Sequence, residues 1–455
     1  MAANILAQLA EYVVGLRLAA VPPAALDVLR LHLFDTLGAA LAGGTIADGR
    51  AAATVAADAG GPGAAAAIGL GIRTTAPLAA LATSAATRCT EVDDIHLESC
   101  TTPGSVVVPT ALALAQMEPE LDAEAFLASL LAGYELLTRF GRAVDGPNVL
   151  YRGVWPTYLA AGFGAATVAT RLLKLDVDQT THTLSTALGL AAGTSLRGPS
   201  PSARWLTLGC AVQNGVLAAL AARRGFRGDP ALLDGAWSAS TGLAVDSAAL
   251  LDGLGDTHAI ERVSIKPYCA AKQATAAIAA FVALLDEERL EPAAIDEVVV
   301  VVPPRYAGMI DQPAPPADRM GTIVSAQHGL ALAAFRRDDL LEVARTAVCD
   351  EPAFRGLRTR IRVEAEPGLA ATYPAAWPAR VTARVGGVTH TREVQHAPGD
   401  PGEPFGWDDV GQKVQRLLRG IASPAAIEHL AATCHALGAG ATPINLLERL
   451  RPLTS

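Results

Sequence analysis

Residues 91–109, EVDDIHLESCTTPGSVVVP, place the adjacent carboxylates of Asp93 and Asp94 and the imidazole of His96 just before a Pro-Gly-Ser turn. Carboxylates and a histidine are the side chains that move protons near neutral pH. Pro103 cannot continue a helix through itself, and Gly104 permits close backbone approach. Ser105 and the amides after it can therefore face a ligand or cap the apolar helix that begins there. Asp94 reads as a proton-handling or substrate-orienting group, with an N-cap or a buried, hydrogen-bonded carboxylate as the competing reading. Asp93 reads as structural or supporting, and His96 as either an acid/base group or a satisfied, non-catalytic imidazole.

The elements that must hold this segment are mainly helical. Up to about residue 260, Ala/Leu-rich stretches at 36–41, 111–131, 160–173 and 211–222 alternate with Gly/Pro turns, combining helix formers with small residues that let helices pack closely. The character changes after Lys266. DEVVVVVPPRY (296–306) and RTRIRVEAEP (358–367) read as strands, and ARVTARVGGVTHTREV (379–394) reads as a hairpin turning at Gly386 and Gly387. Helical candidates at 271–288 and 325–335 lie between them, and the chain becomes helical again from Trp407. The fold class is mainly α with a second, smaller α+β domain. The expected division is a helical domain from 1–265, an α+β domain from 266–400, and a helical segment from 401–455.

At 455 residues the chain exceeds what one core organises. A net charge of −9 with no basic cluster argues against nucleic acid. The pairs Arg223/Arg224 and Arg336/Arg337 are isolated. A mean hydropathy of +0.30 owes much to alanine. No segment reads as a transmembrane helix, because 106–116 is too short and 159–173 is broken by glycines and Arg171. The N-terminus lacks a basic region and carries Glu11 in its apolar stretch, so a cytoplasmic protein is expected. The six cysteines show no CxxC spacing and read as small apolar thiols. There is no P-loop, dinucleotide fingerprint or Gly-x-Ser-x-Gly elbow, and the scattered histidines give no metal-ligand pattern.

The 91–109 block resembles the MmgE/PrpD family, whose members carry an Asp-Asp-Thr-His-like run, a His-Pro-Gly-Ser-like turn and a Val-Val-Pro-rich helix start. LHLFDTLGAALAGG around Asp35, GYELLTRFGRAV from Gly133, RGVWPTYLAAGFGAA from Arg152, QNGVLAALAARRGFRGDPALLDG from Gln213 and SIKPYCAAKQATAAI from Ser264 extend the resemblance in the family's order. It implies a large helical domain with an inserted α+β domain, a site in the cleft between them, and a homodimer. It also implies a cofactor-independent lyase, a dehydratase or decarboxylase of small carboxylate-bearing substrates, working by proton abstraction next to a carboxylate or carbonyl.

The chain departs from the family pattern where chemistry is expected. Thr102, Trp155, Thr207 and Thr275 stand where the family has histidines. A threonine hydroxyl hydrogen-bonds but does not exchange a proton readily at neutral pH, and Trp155 adds bulk and an apolar face. Asp94, His96, Lys266 and Tyr268 are the catalytic candidates. Lys266 could hold a carboxylate or act as a base, or form a salt bridge at the domain junction; Tyr268 could donate to an oxyanion or pack. Asp93, Thr102, Ser105, Trp155, Arg204, Thr207 and Lys272 are the substrate-binding candidates. Arg204 replaces a family lysine and Lys272 a family arginine, which keeps positive charge while exchanging fork geometry. Ser325, Gln327 and His328 are weaker candidates. The remodelled, histidine-poor site leaves open an isomerase or epimerase, a specialised biosynthetic enzyme on a less anionic substrate, and a non-catalytic binding or scaffold protein.

Overall fold

The structure is a computed structural model that describes residues 4–118, 120–191, 202–346 and 349–453. The chain forms two compact units, Met1–Val263 with Gly406–Ser455, and Ser264–Phe405.

The core of the larger unit is built from helices that are buried along most of their length. Helix α1 (Pro23–Gly43) starts with proline in its first turn and buries every residue from Leu31 to Gly43. Helix α2 (Ala76–Cys89) packs on it. The stretch 111–131, expected as one helix, is split between α3 (Gly104–Ala115) and α4 (Ala123–Ala143). The break is set by Asp122, whose carboxylate accepts from Ala125 N at 2.6 Å and so caps α4 instead of continuing α3. Helices α5 (Pro156–Leu172) and α6 (Ala203–Arg223) cross closely. A Cβ at Gly215 would lie 2.3 Å from Gly162 O, so only glycine allows that approach. Helix α6 is long and apolar enough to cross a membrane by length and composition, a feature the sequence reading passed over. More than half of its apolar window is buried in the fold, as in a core helix.

The smaller unit carries a four-stranded sheet in the order β2-β1-β3-β4, from β1 (Ile295–Val302), β2 (Ile361–Ala365), β3 (Ala379–Val385) and β4 (Val388–Val394). The valine run is the central strand, parallel to β2 and antiparallel to β3. Its alternate residues Val298, Val300 and Val302 are fully buried, which gives the sheet one covered face. The β3–β4 hairpin turns at Gly386 and Gly387, both at positive φ (56° and 84°), as a tight primed turn requires. Helix α7 (Lys272–Glu287) packs on β3, β4 and α8 (Ala326–Phe335). The chain then returns to the larger unit through α9 (Trp407–Leu417), which packs on α1 with Val410, Val414 and Leu417 buried.

Candidate active site

Helix α2 ends at Cys89, and the motif segment carries strain at its first residue and again just before the Pro-Gly-Ser turn. Glu91 (φ 61°) and Cys100 (φ 53°) are both non-glycine residues in the left-handed region, a conformation that clusters at functional sites. Arg88 is 2% exposed, and its Nη1 lies 2.9 Å from Glu91 Oε2 and 3.2 Å from Asp93 Oδ1. Burial works against the guanidinium charge, but Asp93 and Glu91 outweigh it and hold Arg88 above its ordinary pKa.

Asp94 faces a different set of partners. Its Oδ2 accepts from His32 Nδ1 at 3.1 Å and Tyr134 Oη at 2.8 Å, and its Oδ1 accepts from Gly104 N at 2.8 Å. Burial, then Asp94, pushes the Tyr134 phenol well above its ordinary value, so it stays a donor. A Cβ at residue 104 would fall 2.8 Å from both Asp94 oxygens and 2.5 Å from Thr36 Oγ1, which explains the glycine in the Pro-Gly-Ser turn. With both oxygens engaged, Asp94 is arranged to anchor the start of α3, the competing reading of the sequence. One residue away from the carboxylate pair, Val92 O accepts from Lys413 Nζ at 2.8 Å, and that ammonium pairs with Asp35 at 2.6 Å.

His96 Nδ1 accepts from Ser99, whose Oγ lies at 2.9 Å, and burial pushes the ring down to about 3, with Arg142 and Arg262 adding to the effect. It is a neutral imidazole that closes its own loop. Thr102 N donates to Thr157 Oγ1 at 3.1 Å, and Ser105 Oγ donates to Thr102 O at 2.9 Å. Both are buried; the first ties the turn before α3 to the start of α5, and the second closes the turn itself.

The aromatic replacement stands beside the carboxylate clamp. Trp155 precedes α5 and stacks on Tyr158, with ring centroids 6.2 Å apart at 23°. Arg88 Cζ lies 5.7 Å from the Trp155 ring and 5.3 Å from Trp205, while Arg204 Cζ lies 5.6 Å and 4.9 Å from the same two rings. Trp205 is fixed by its Nε1 donating to Asp48 at 3.2 Å. Trp155 Nε1 and Tyr158 Oη are buried with no hydrogen-bond partner among the described residues. Thr207 Oγ1 is spent on Ala203 O at 3.0 Å, within its own helix.

Of the residues singled out from sequence, the structure thus brings Asp93, Trp155 and Arg204 into one cluster, joined by Arg88, Glu91, Tyr158 and Trp205. Asp94, His96 and Thr207 have other partners. Arg88 and Glu91 carry no motif of their own beside the adjacent acids Asp93 and Asp94. The available signal was two opposite charges three apart at the end of an otherwise uncharged helix.

The smaller unit holds the remaining candidates. Lys272 is 3% exposed and ion-paired with Asp400, whose other oxygen accepts from Ala397 N at 2.9 Å. Thr275 Oγ1 donates to Lys272 O at 2.7 Å. Lys266 is buried, and burial pushes the half-buried Tyr268 phenol up to about 12. Ser325 Oγ caps α8 at His328 N (3.1 Å), and Gln327 Nε2 donates to Asp311 at 2.6 Å. The His328 ring packs on Phe354 and is pushed down to about 4, first by burial and then by Arg345, Arg358 and Arg336. Among the described residues no group of three or more His, Cys, Asp or Glu is placed to hold a metal ion.

Residues 7–247 match the MmgE/PrpD N-terminal domain and residues 268–437 the MmgE/PrpD C-terminal domain. The chain belongs to the MmgE/PrpD family. It is 26% identical over 237 residues to the cis-aconitate decarboxylase-like protein oryM of Aspergillus oryzae, covering 51% of this chain and 49% of that protein. It is 29% identical over 178 residues to the cis-aconitate decarboxylase of Aspergillus terreus, covering 38% of this chain and 36% of that enzyme. The chain therefore spans about half the length of the first relative and about a third of the second. The second family match runs past Phe405 into the returning helices of the larger unit.

Proposed function

We propose that this MmgE/PrpD member is a cofactor-independent lyase, a decarboxylase or dehydratase, that acts on a small carboxylate-bearing substrate at the Arg88 cluster. The observation that carries this reading is one buried guanidinium shared by two buried carboxylates, with a second guanidinium stacked on the same indoles. Arg204 is the group that receives a substrate carboxylate. Glu91, held in a strained turn with Asp93 beside it, is the group that moves the proton. For decarboxylation, the bond to the departing carboxylate breaks, its electron pair stays on carbon, CO2 leaves, and that carbon takes a proton from Glu91 in its acid form. For dehydration, ionised Glu91 takes the proton next to the carboxylate and passes it to the neighbouring hydroxyl, which leaves as water while the electron pair of the broken C–H bond forms the alkene. Asp94, with its oxygens committed, positions the segment.

Incubation with cis-aconitate, 2-methylcitrate, citrate and iminodisuccinate in D2O, followed by proton NMR, tests this. Release of CO2 or interconversion of alkene and hydroxy acid, falling roughly 10²–10⁴-fold in Glu91→Gln, is the expected result. Deuterium exchange with stereoinversion and no bond cleavage would make the protein an epimerase instead. Full activity in Glu91→Gln would remove that residue from the mechanism.

A further inference from the structure

Two guanidiniums share two indoles at the site, and one of those indoles is itself held. Arg88 Cζ and Arg204 Cζ lie 5.3 Å and 4.9 Å from the Trp205 ring, and 5.7 Å and 5.6 Å from the Trp155 ring. Contacts of this kind use the flat faces of the guanidiniums and leave their in-plane N–H groups to meet carboxylates. The tilt of the indole therefore sets the plane in which those N–H groups point. Two like charges against one ring also repel, and a platform free to turn would let them part.

Asp48 fixes that platform. Trp205 is 1% exposed, and its Nε1 donates to Asp48 Oδ2 at 3.2 Å. An indole carries positive charge at its edge and negative charge on its face. A carboxylate at the N–H edge offsets the first and strengthens the pull of the second on a cation. The acid comes from a different element, the helix Ala47–Gly60, which packs on α2, the helix that carries Arg88. The seat is tight. A Cβ at Gly49, next to Asp48, would lie 2.2 Å from Gly43 O, and a Cβ at Gly43 would lie 2.3 Å from Ala86 O, two residues before Arg88. Backbone contact this close, where only glycine fits, ties Asp48 to the end of α2.

We propose that Asp48 is a positioning residue of the site, acting through Trp205 to set the direction in which the Arg88 and Arg204 guanidiniums meet carboxylates. It acts on them through the indole, not by touching substrate. Its effect on turnover rests on the proposed function, whereas its effect on the guanidiniums does not. An acid in the first turn of a helix also suits that helix on its own account. That competing role predicts a loss of stability with the guanidiniums undisturbed.

The test uses the nitrogen-15-labelled full chain with Asp48→Ala, Asp48→Asn, Trp205→Phe and the double variant Asp48→Ala/Trp205→Phe. The Arg204 Nε–Hε signal in NMR, assigned by its loss in Arg204→Lys, reports the stacking, because a guanidinium over indole rings is shielded. The signal is expected to move downfield in Asp48→Ala and to stay in place in Asp48→Asn, whose amide oxygen still accepts from the indole. With whichever acid of the panel turns over, kcat/KM should fall roughly tenfold in Asp48→Ala and stay within about threefold in Asp48→Asn. Adding Asp48→Ala to Trp205→Phe should lower it no further, since the two act as one unit. Asp48→Leu, which keeps the bulk and removes the acceptor, carries the same predictions if Asp48→Ala fails to fold. A moved Arg204 signal with no turnover anywhere on the panel would sustain the positioning role and overturn the lyase reading. A signal that does not move, with or without a lower Tm, would overturn the proposal and leave the lyase reading standing. So would an unchanged kcat/KM in Asp48→Ala, or a loss that Asp48→Asn shares.

Discussion

Lys413 arrives on the returning helix α9, 4% exposed, and pairs with the fully buried Asp35 at 2.6 Å while donating to Val92 O at 2.8 Å. Replacing it with methionine keeps the aliphatic volume and strands a buried carboxylate. Breaking one side of such a pair costs about 3–5 kcal/mol. Unfolding entropy of roughly 2.1 cal/mol/K per residue over the helical unit converts this to a Tm drop of about 5–8 °C. Burial already raises the Asp35 pKa, and Lys413 opposes that shift. Without Lys413 the folded pKa climbs further, so the folded state binds a proton that the unfolded state does not. Stability is then kept at low pH and lost as pH rises through the raised folded pKa. Scanning calorimetry at one fixed scan rate should therefore show the Lys413→Met deficit largest at pH 8 and smaller at pH 5. The double variant Asp35→Asn/Lys413→Met should regain most of the loss, less about 1–3 kcal/mol for the Val92 carbonyl left without a donor. A Tm within 2 °C of wild type in the single variant, or a deficit independent of pH, would refute the reasoning.

Gly104→Ala should destabilise the helical unit by roughly 2–4 kcal/mol in urea unfolding, because its Cβ would press within 2.8 Å of both Asp94 oxygens. Arg88→Gln, which removes the buried guanidinium that Glu91 and Asp93 share, should cost about 3–5 kcal/mol and abolish turnover of any accepted substrate. His96, pushed down to about 3 by burial, should keep a constant imidazole chemical shift from pH 8 to pH 5 in NMR. Since its folded pKa lies below the unfolded value, it stabilises above about pH 6.5 and that contribution is lost as pH falls toward 3. Acid unfolding of His96→Gln should accordingly be shallower than that of wild type.

The division of labour along the chain was legible where a local rule decides the conformation. Gly386 and Gly387 announce their hairpin because the turn needs positive φ at both, and the valine run announces a strand because β-branched residues suit the extended backbone. The break at Asp122 was missed because alanine and leucine continue helical periodicity across it, and a capping carboxylate competes with that pattern from one position. At the site, the sequence points to the segment but not to the partners its side chains take. Asp94 looks like the reactive acid, yet its three donors come from His32, Gly104 and Tyr134, residues up to sixty-two positions away that no spacing rule connects. Glu91 has no role in the sequence pattern, and its positive φ and pairing with Arg88 are seen only in the structure.

The central claim is that the carboxylate clamped by Arg88 moves the proton. Single-turnover measurements in D2O on wild type, Glu91→Gln and Asp94→Asn, using whichever acid of the panel turns over, test it most directly. Loss of both deuterium incorporation and product in Glu91→Gln, with Asp94→Asn lowering stability more than the chemical step, is the predicted result. Undiminished deuterium transfer in Glu91→Gln together with its abolition in a folded Asp94→Asn protein would contradict it and return the proton to Asp94.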